Sequence, residues 1–433
     1  MTKFNRENSF VKAFVGTAGV QIFAKGISLV AGIIFARALG PEDFGRYGLA
    51  VSVITVAVLP SIAGLPSLIV REIARYRIDN KLTEVKGMIV WSNRHVISMS
   101  VLSIVCTYLL VYAEIWTDFV GSIIISALIL IPLKGYLSNQ SAIINAFQRP
   151  ELAQLPTQVI APVLSLFIVL FLYFNSGTTL SPHILIYIQI FTHTSAVVFS
   201  FFLLRLIVKK EINELTPVFD SSRWRKSLLP FSLLMIISTL NNELATVLLG
   251  FLGTEEGIAY FRVALVGTTL LSLGLNSVNS VSGPKIAGMY KKGDLVGTQE
   301  ILLKSVRISC ACTVPFVILF LFFGEFFIVL LFGEQYRSAG TLLSILCIGQ
   351  LFNCALGSVG LVLNMTGNEN YTLRTQLVTL FLTITLLVIF IPIYNAIGAA
   401  IAVSTSLICW NLIMAFNVYR LTGLKTWLRF VRG

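Results

Sequence analysis

Charge is what this sequence has least of. Only 12% of its 433 residues are Asp, Glu, Lys or Arg, against roughly 25% in ordinary soluble domains. With 56% hydrophobic residues there is more apolar surface than one globular core can hide, so a soluble protein is excluded and no segment is left for a soluble domain. Histidine is nearly missing, with only His95, His183 and His193. The six cysteines all fall inside apolar runs, where Cys packs as a small hydrophobe, so no disulfide framework, redox centre or metal site is expected. A glycine-rich lysine loop of the Walker type is absent, which excludes ATP hydrolysis by this chain.

What is present is a series of apolar runs of about 20 residues, the length that crosses a bilayer as helix. They recur from Phe14 to Tyr419, and the mean hydropathy of +0.86 agrees. The runs are continuous and rich in Leu, Ile and Phe rather than alternating, which favours helices over a membrane barrel. Twelve are expected, over 12–38, 44–69, 88–112, 119–146, 155–174, 183–207, 228–252, 257–284, 304–324, 339–364, 373–392 and 396–420. The first is too long for a signal-peptide core and is read as a retained helix.

Basic residues set the orientation. Twenty-six of the 32 Lys and Arg fall on one side of this topology, only Arg37, Arg46 and Arg337 on the other, and three within helices. That asymmetry places both termini in the cytoplasm. It also accounts for the net charge of +12 without nucleic acid as a partner. The outer loops are too short to hold a folded active centre, and no loop combines acidic pairs or His/Asp/Ser groups at useful spacing, so neither catalysis nor a cofactor is expected.

The chain repeats itself. "ARALGPEDFGRYGLA" (36–50) returns as "LGTEEGIAYFRVA" (252–264), with Leu39, Gly40, Glu42, Asp43 and Tyr47 matched 213 positions later by Leu252, Gly253, Glu255, Glu256 and Tyr260. Glu151, Thr157 and Gln158 likewise match Glu369, Thr375 and Gln376, 218 positions on. The expected fold is therefore an all-α integral membrane protein of twelve transmembrane helices, in two six-helix halves related by a parallel pseudo-two-fold axis. The expected divisions are an N-terminal lobe (1–210), a cytoplasmic linker (211–227), a C-terminal lobe (228–420) and a basic tail (421–433) lying along the inner membrane surface.

Five runs carry polar residues along one face. They are Gln21, Lys25 and Ser28; Lys134, Ser138, Ser141, Asn145 and Gln148; Thr239, Asn242, Glu243 and Thr246; Arg262, Thr269, Ser272, Asn276 and Asn279; and Gln350, Asn353, Gly357, Gly360 and Asn364. At 100° per residue each set keeps to an arc of roughly 100°. Such stripes either join helices by hydrogen bonds and small-residue contacts or converge on a common interior. Ionised groups in mid-membrane favour the second. Lys25, Lys134, Arg262 and Glu243 together carry a net charge of +2, which suits an anion. Glu243 either pairs with Arg262 across its hairpin or takes up a proton or sodium ion as the coupling group. His193 is a weaker proton-relay candidate than a packing histidine.

"FARALGPEDFGRYGLA" followed by an apolar run and "REIARYR", together with "FGEQYRSAGTLLSILCIGQLFN" and "VLNMTGNEN", resembles the Wzx-type O-antigen and polysaccharide flippases of the MOP (multidrug/oligosaccharidyl-lipid/polysaccharide) exporter superfamily. The resemblance spans the chain. It implies a V-shaped bundle in the bacterial inner membrane that moves undecaprenyl-pyrophosphate-linked oligosaccharide from the cytoplasmic to the periplasmic leaflet. Lys25, Lys134 or Arg262 would hold the pyrophosphate. Gln21, Ser138, Asn145, Asn242, Asn276, Asn279, Gln350 and Asn353 would line the glycan cavity, and the lipid tail would stay among membrane lipids. A polysaccharide polymerase and a chain-length regulator are the protein partners it suggests. The Gly40-Pro41 hairpin and its copy at Gly253 would close the outer side. Against this stand a multidrug cation exporter of the same fold, whose cavity should be acidic and aromatic, a polytopic glycosyltransferase or ligase, and a nontransporting assembly partner.

Overall fold

The computed structural model describes residues 3–176, 180–208, 212 and 214–428; side-chain surroundings are described from Gly19 onward, apart from Ile22 and some positions between 273 and 284. The twelve apolar runs are helical apart from short breaks inside the second, fourth and tenth, and no strand occurs among the described residues. Among the described residues, nine helices are long and apolar enough to cross a membrane, ten if a pair bent by 41° counts as one span. The longest, Glu369–Thr422, is interrupted at Asn395 and so holds both of the last two runs.

The chain divides into two compact units, Met1–Thr239 and Leu240–Gly433. In the first, α1 (Lys3–Leu39) is followed by a bent span made of α2 (Pro41–Ala57), α3 (Leu59–Ile62) and α4 (Leu65–Ile78). Gly40, at φ +78°, separates α1 from α2, and Pro41 opens α2 at a position whose N–H has no helical partner to lose. The bend has local causes: Pro60 and Pro66 each remove a backbone donor, and Gly64 is left-handed at φ +70°. Next come α5 (Leu82–Tyr112), α6 (Asp118–Ala127), α7 (Leu130–Ala146) and α8 (Pro150–Gln154). A π-helical turn, Leu155–Ile160, joins α8 to α9 (Ala161–Ser176). The last complete helix of this unit is α10 (Pro182–Ile207). At the centre, α7 packs against α4, α5, α8 and α10.

The unit boundary lies inside α11 (Ser221–Leu252), beyond the 211–227 segment expected as a linker. The reason is packing on the first unit. Trp224 is fully buried, its indole N–H donating to Tyr76 Oη at 3.0 Å, and Ser232 Oγ donates to Ala63 O at 2.8 Å beside the Gly64 bend.

The second unit continues with α12 (Glu255–Lys291), α13 (Leu295–Phe332), α14 (Ala339–Leu356), α15 (Val359–Met365) and α16 (Glu369–Thr422). Here α14 is central, packing on α12, α13 and α16. It holds the tenth run, as α7 holds the fourth, so each unit is built around the counterpart of the same helix.

Two further ties recur at corresponding places. In the first unit the last turn of α1 is joined to the approach to α10, with Leu180 N donating to Ala38 O at 3.1 Å. In the second, the Gly253 turn is held by Asn395, whose Nδ2 donates to Thr254 Oγ1 at 2.8 Å and whose Oδ1 accepts from Thr254 N at 3.3 Å. Thr254 also caps α12 by accepting from Gly257 N. Then, in each unit, the segment after the sixth span folds back onto the third. Val218 N donates to Thr83 O, and Gln299 grips the Lys425 backbone through both N–H and C=O, at 2.8 and 2.7 Å. The tail up to Leu428 is thus docked on the second unit's own helices.

Two predictions follow from these ties. A Cβ on Gly87 would stand 1.8 Å from the Val218 carbonyl oxygen, so Gly87→Ala should displace the returning segment and cost about 1–3 kcal/mol. Thermal unfolding in detergent reads this, and an unchanged midpoint would mean that the segment is not seated there. Asn395 has φ +49° and ψ −130°, a region almost reserved for glycine. Asn395→Gly should therefore exceed Asn395→Ala in stability by about 1 kcal/mol, although both lose the bonds to Thr254; the reverse order in the same assay would contradict the strain.

Candidate functional site

The first unit contains a cavity of about 810 Å³. Its wall comes from four directions: Pro66, Ser67, Val70 and Arg71 of α4; Lys134, Leu137, Ser138, Ser141, Ala142 and Asn145 of α7; Pro150, Ala153, Gln154, Thr157 and Gln158 of α8 and the π turn; and His193 of α10. The α7 residues follow the i, i+4, i+7 spacing of one helix face, so a single helix aims them all at one space. Pro156 has no N–H for the helical ladder, and the turn around it widens until Ala161 N–H donates to Pro156 O, five residues back. Such π bulges often mark functional sites, and this one presents Gln154, Thr157 and Gln158 to the cavity.

The electrostatics of the wall are one-sided. Among the described residues it holds Lys134 and Arg71 and no carboxylate. Arg71 is paired with Glu72, Nη2 to Oε1 at 2.8 Å and Nε to Oε1 at 3.0 Å, and its guanidinium lies 5.2 Å from the Phe231 ring centroid. Glu72 itself is 1% exposed and also meets Arg75 at 3.2 Å. Two arginines against one carboxylate leave one positive charge, and Lys134 adds a second. His193 Nδ1 is 2.8 Å from Gln189 O. A carbonyl requires a donor, so Nδ1 carries the proton and Nε2 stays available for another bond. Ser141 Oγ and Gln154 Oε1 are buried and make no hydrogen bond to the protein. The site thus offers two cations, hydroxyls and side-chain amides in a space of ligand size.

Of the residues singled out from sequence, Lys134, Ser138 and Asn145 come together here. Gln21 and Lys25 are exposed on α1 and do not line this cavity. In the second unit, Glu243 and Arg262 are half-buried on α11 and α12, and Asn242 is exposed. Asn279 Oδ1 accepts from Ser358 Oγ, which is the helix-joining use of such stripes, whereas Asn353 Nδ2 donates to Gln350 Oε1 at 3.1 Å within α14 itself. The side chain of Asn276 lies outside the described residues. Sequence reasoning missed Arg71, which it counted only toward topology; its spacing from Ser67 (i, i+4) was the available sign. Thr157 and Gln158 were noticed only as repeat markers.

Comparison with known proteins agrees with this architecture. Over 41% of its length the chain is 28% identical to the capsular polysaccharide biosynthesis protein CapF of Staphylococcus aureus, a match that spans 45% of that relative. Among solved structures it superposes on an inward-facing multidrug resistance MATE family transporter of the MOP superfamily, with a TM-score of 0.77, 15% identity and coverage of 94% and 99% of the two chains. It also superposes on the lipid II flippase MurJ in an inward closed conformation, with a TM-score of 0.74, 17% identity and coverage of 93% and 87%. At these identities the likeness shows the fold, that of MOP-superfamily transporters. The polysaccharide biosynthesis protein family model matches residues 10–289, about two thirds of the sequence, and this multi-span membrane protein belongs to that family.

Proposed function

We propose that the chain is a flippase carrying an undecaprenyl-pyrophosphate-linked oligosaccharide, an O-antigen or related repeat unit, from the cytoplasmic to the periplasmic leaflet of the bacterial inner membrane. Both termini are cytoplasmic, and the chain is not an enzyme. The observation that carries this reading is the cavity wall with two cations and no carboxylate, bordered by hydroxyls and amides. A pyrophosphate is stabilised by Lys134 and Arg71, while Ser138, Ser141, Asn145, Gln154, Thr157 and Gln158 can hydrogen-bond sugar hydroxyls. The lipid tail stays in the bilayer. Alternating access between the two halves of the chain would turn the head group, with the Gly40 and Gly253 turns as outer closures.

The driving force need not come from ATP. Outward movement of an anion is favoured by a negative interior by about 2.3 kcal/mol per elementary charge per 100 mV. Glu243 is the proposed proton or ion coupling group, and Lys25 and Arg262, which lie outside the Lys134 cavity, are proposed as further cations for the substrate. The fold is shared with multidrug exporters and does not separate the two functions. Charge does, because a cationic drug is repelled by a cationic wall.

Deleting the gene tests the reading: lipid-linked repeat units should accumulate in the inner leaflet, and normal delivery to the outer leaflet would sink it. Coupling is tested separately by Glu243→Gln and Glu243→Asp under a collapsed proton gradient. A coupling role requires Gln to lose the gradient response and Asp to keep it; indifference of both would leave Glu243 structural.

A further inference from the structure

The first unit has a second cavity, of about 470 Å³, at the end of the bundle away from the α4/α5 loop, and one hairpin forms it. Tyr108 and Tyr112 from the end of α5, Glu114 and Trp116 from the turn, and Asp118 and Ser122 from the start of α6 make its polar and aromatic wall. Its chemistry is the reverse of the first cavity: aromatic rings and two carboxylates, with no cation among the described residues.

The hairpin is braced from outside the cavity. Arg46, held by Asp43 at 3.1 Å and by Glu42, stacks 4.7 Å over the Phe119 ring. His183 meets the same ring edge-on at 5.6 Å and lies 3.1 Å from Ser122 Oγ through Nε2. Both α2 and α10 pack against α6. The cavity is therefore preformed, and its volume is that of a small-molecule site.

We propose that it binds a neutral saccharide, the glycan end of the exported substrate, on the outer face; this rests on the flippase reading and its orientation. Aromatic faces accept the C–H face of a sugar ring. Carboxylates accept hydrogen bonds from hydroxyls more strongly than neutral acceptors do. A wall with two carboxylates and no cation repels the pyrophosphate, so only the sugar end fits. Aromatics that merely anchored the helix at the interface would need no acidic groups beside them.

The test uses the full chain in nanodiscs and, as probe, the oligosaccharide freed by mild acid from the host's lipid-linked pool. Saturable binding is expected, with a change in tryptophan emission that Trp116→Phe abolishes. Tyr112→Ala and Glu114→Gln should each weaken binding about tenfold. Tyr112 is 78% exposed, so its replacement does not threaten the fold. Absence of saturable binding, unchanged affinity in both hairpin variants, or displacement of the probe by choline chloride at equal concentration would overturn the proposal. The probe has no lipid or phosphate, so such a failure leaves the leaflet assay of the deletion strain standing on its own.

Discussion

Lys134→Ala is expected to lower delivery of the lipid-linked glycan to the outer leaflet about 10- to 100-fold at equal protein level. That is the range for loss of one charge-assisted hydrogen bond, about 1.5–3 kcal/mol. The position is half-buried near the middle of the Asp118–Ala146 span, where an ammonium is costly unless something anionic or polar meets it. Lys134→Arg keeps the charge and should retain much of the activity, although its planar fork changes the geometry. Lys134→Gln keeps length and polarity without charge and should behave like Ala if charge is what matters. Arg71→Ala should have a smaller effect on transport, because part of its charge is already committed to Glu72. Equal export by the wild type and the Ala and Gln variants at matched levels would remove Lys134 from the site.

Trp224→Ala is expected to cost about 3–5 kcal/mol, the range for emptying a large buried aromatic. Trp224 is 0% exposed, donates to Tyr76 Oη, and its ring centroid is 5.4 Å from that of Trp91. It joins a core with Leu68, Ile69, Ile73, Met88 and Ile143, the same α4 and α7 that carry Arg71 and Lys134. The loss should appear as a lower unfolding midpoint and lower membrane yield. Trp224→Phe should recover most of the packing but not the hydrogen bond. A wild-type midpoint for Trp224→Ala would show that the returning segment contributes little to the first unit.

Much of the fold was legible because a bilayer imposes one length and one secondary structure on apolar runs. The ends were less so. The second run reads as apolar only to residue 69, yet the helix continues to Ile78, since the turns bearing Arg71, Arg75 and Arg77 are helical without being hydrophobic. Lys134, Ser138 and Asn145 were legible as site residues because helical spacing alone puts them on one face. Arg71 was not, since its partner Glu72 and its stacking on Phe231 depend on the fold. Nor was the π turn at Leu155–Ile160, where one missing N–H redirects Gln154, Thr157 and Gln158. The repeat at Gly40 and Gly253 was visible, but its distant holders, Leu180 and Asn395, were not, because nothing in sequence ties them to those turns.

The most direct measurement of the central claim is translocation in proteoliposomes. Undecaprenyl-pyrophosphate-linked oligosaccharide would be loaded in one leaflet and its appearance in the other followed by access to an added glycan-modifying enzyme, for wild type, Lys134→Ala and Lys134→Arg. A cationic, carboxylate-free cavity that holds an anionic lipid-linked glycan predicts fast transfer by wild type, retained transfer by Arg and loss toward the protein-free rate by Ala. Transfer equal in all three, or no faster than in liposomes without protein, would contradict it.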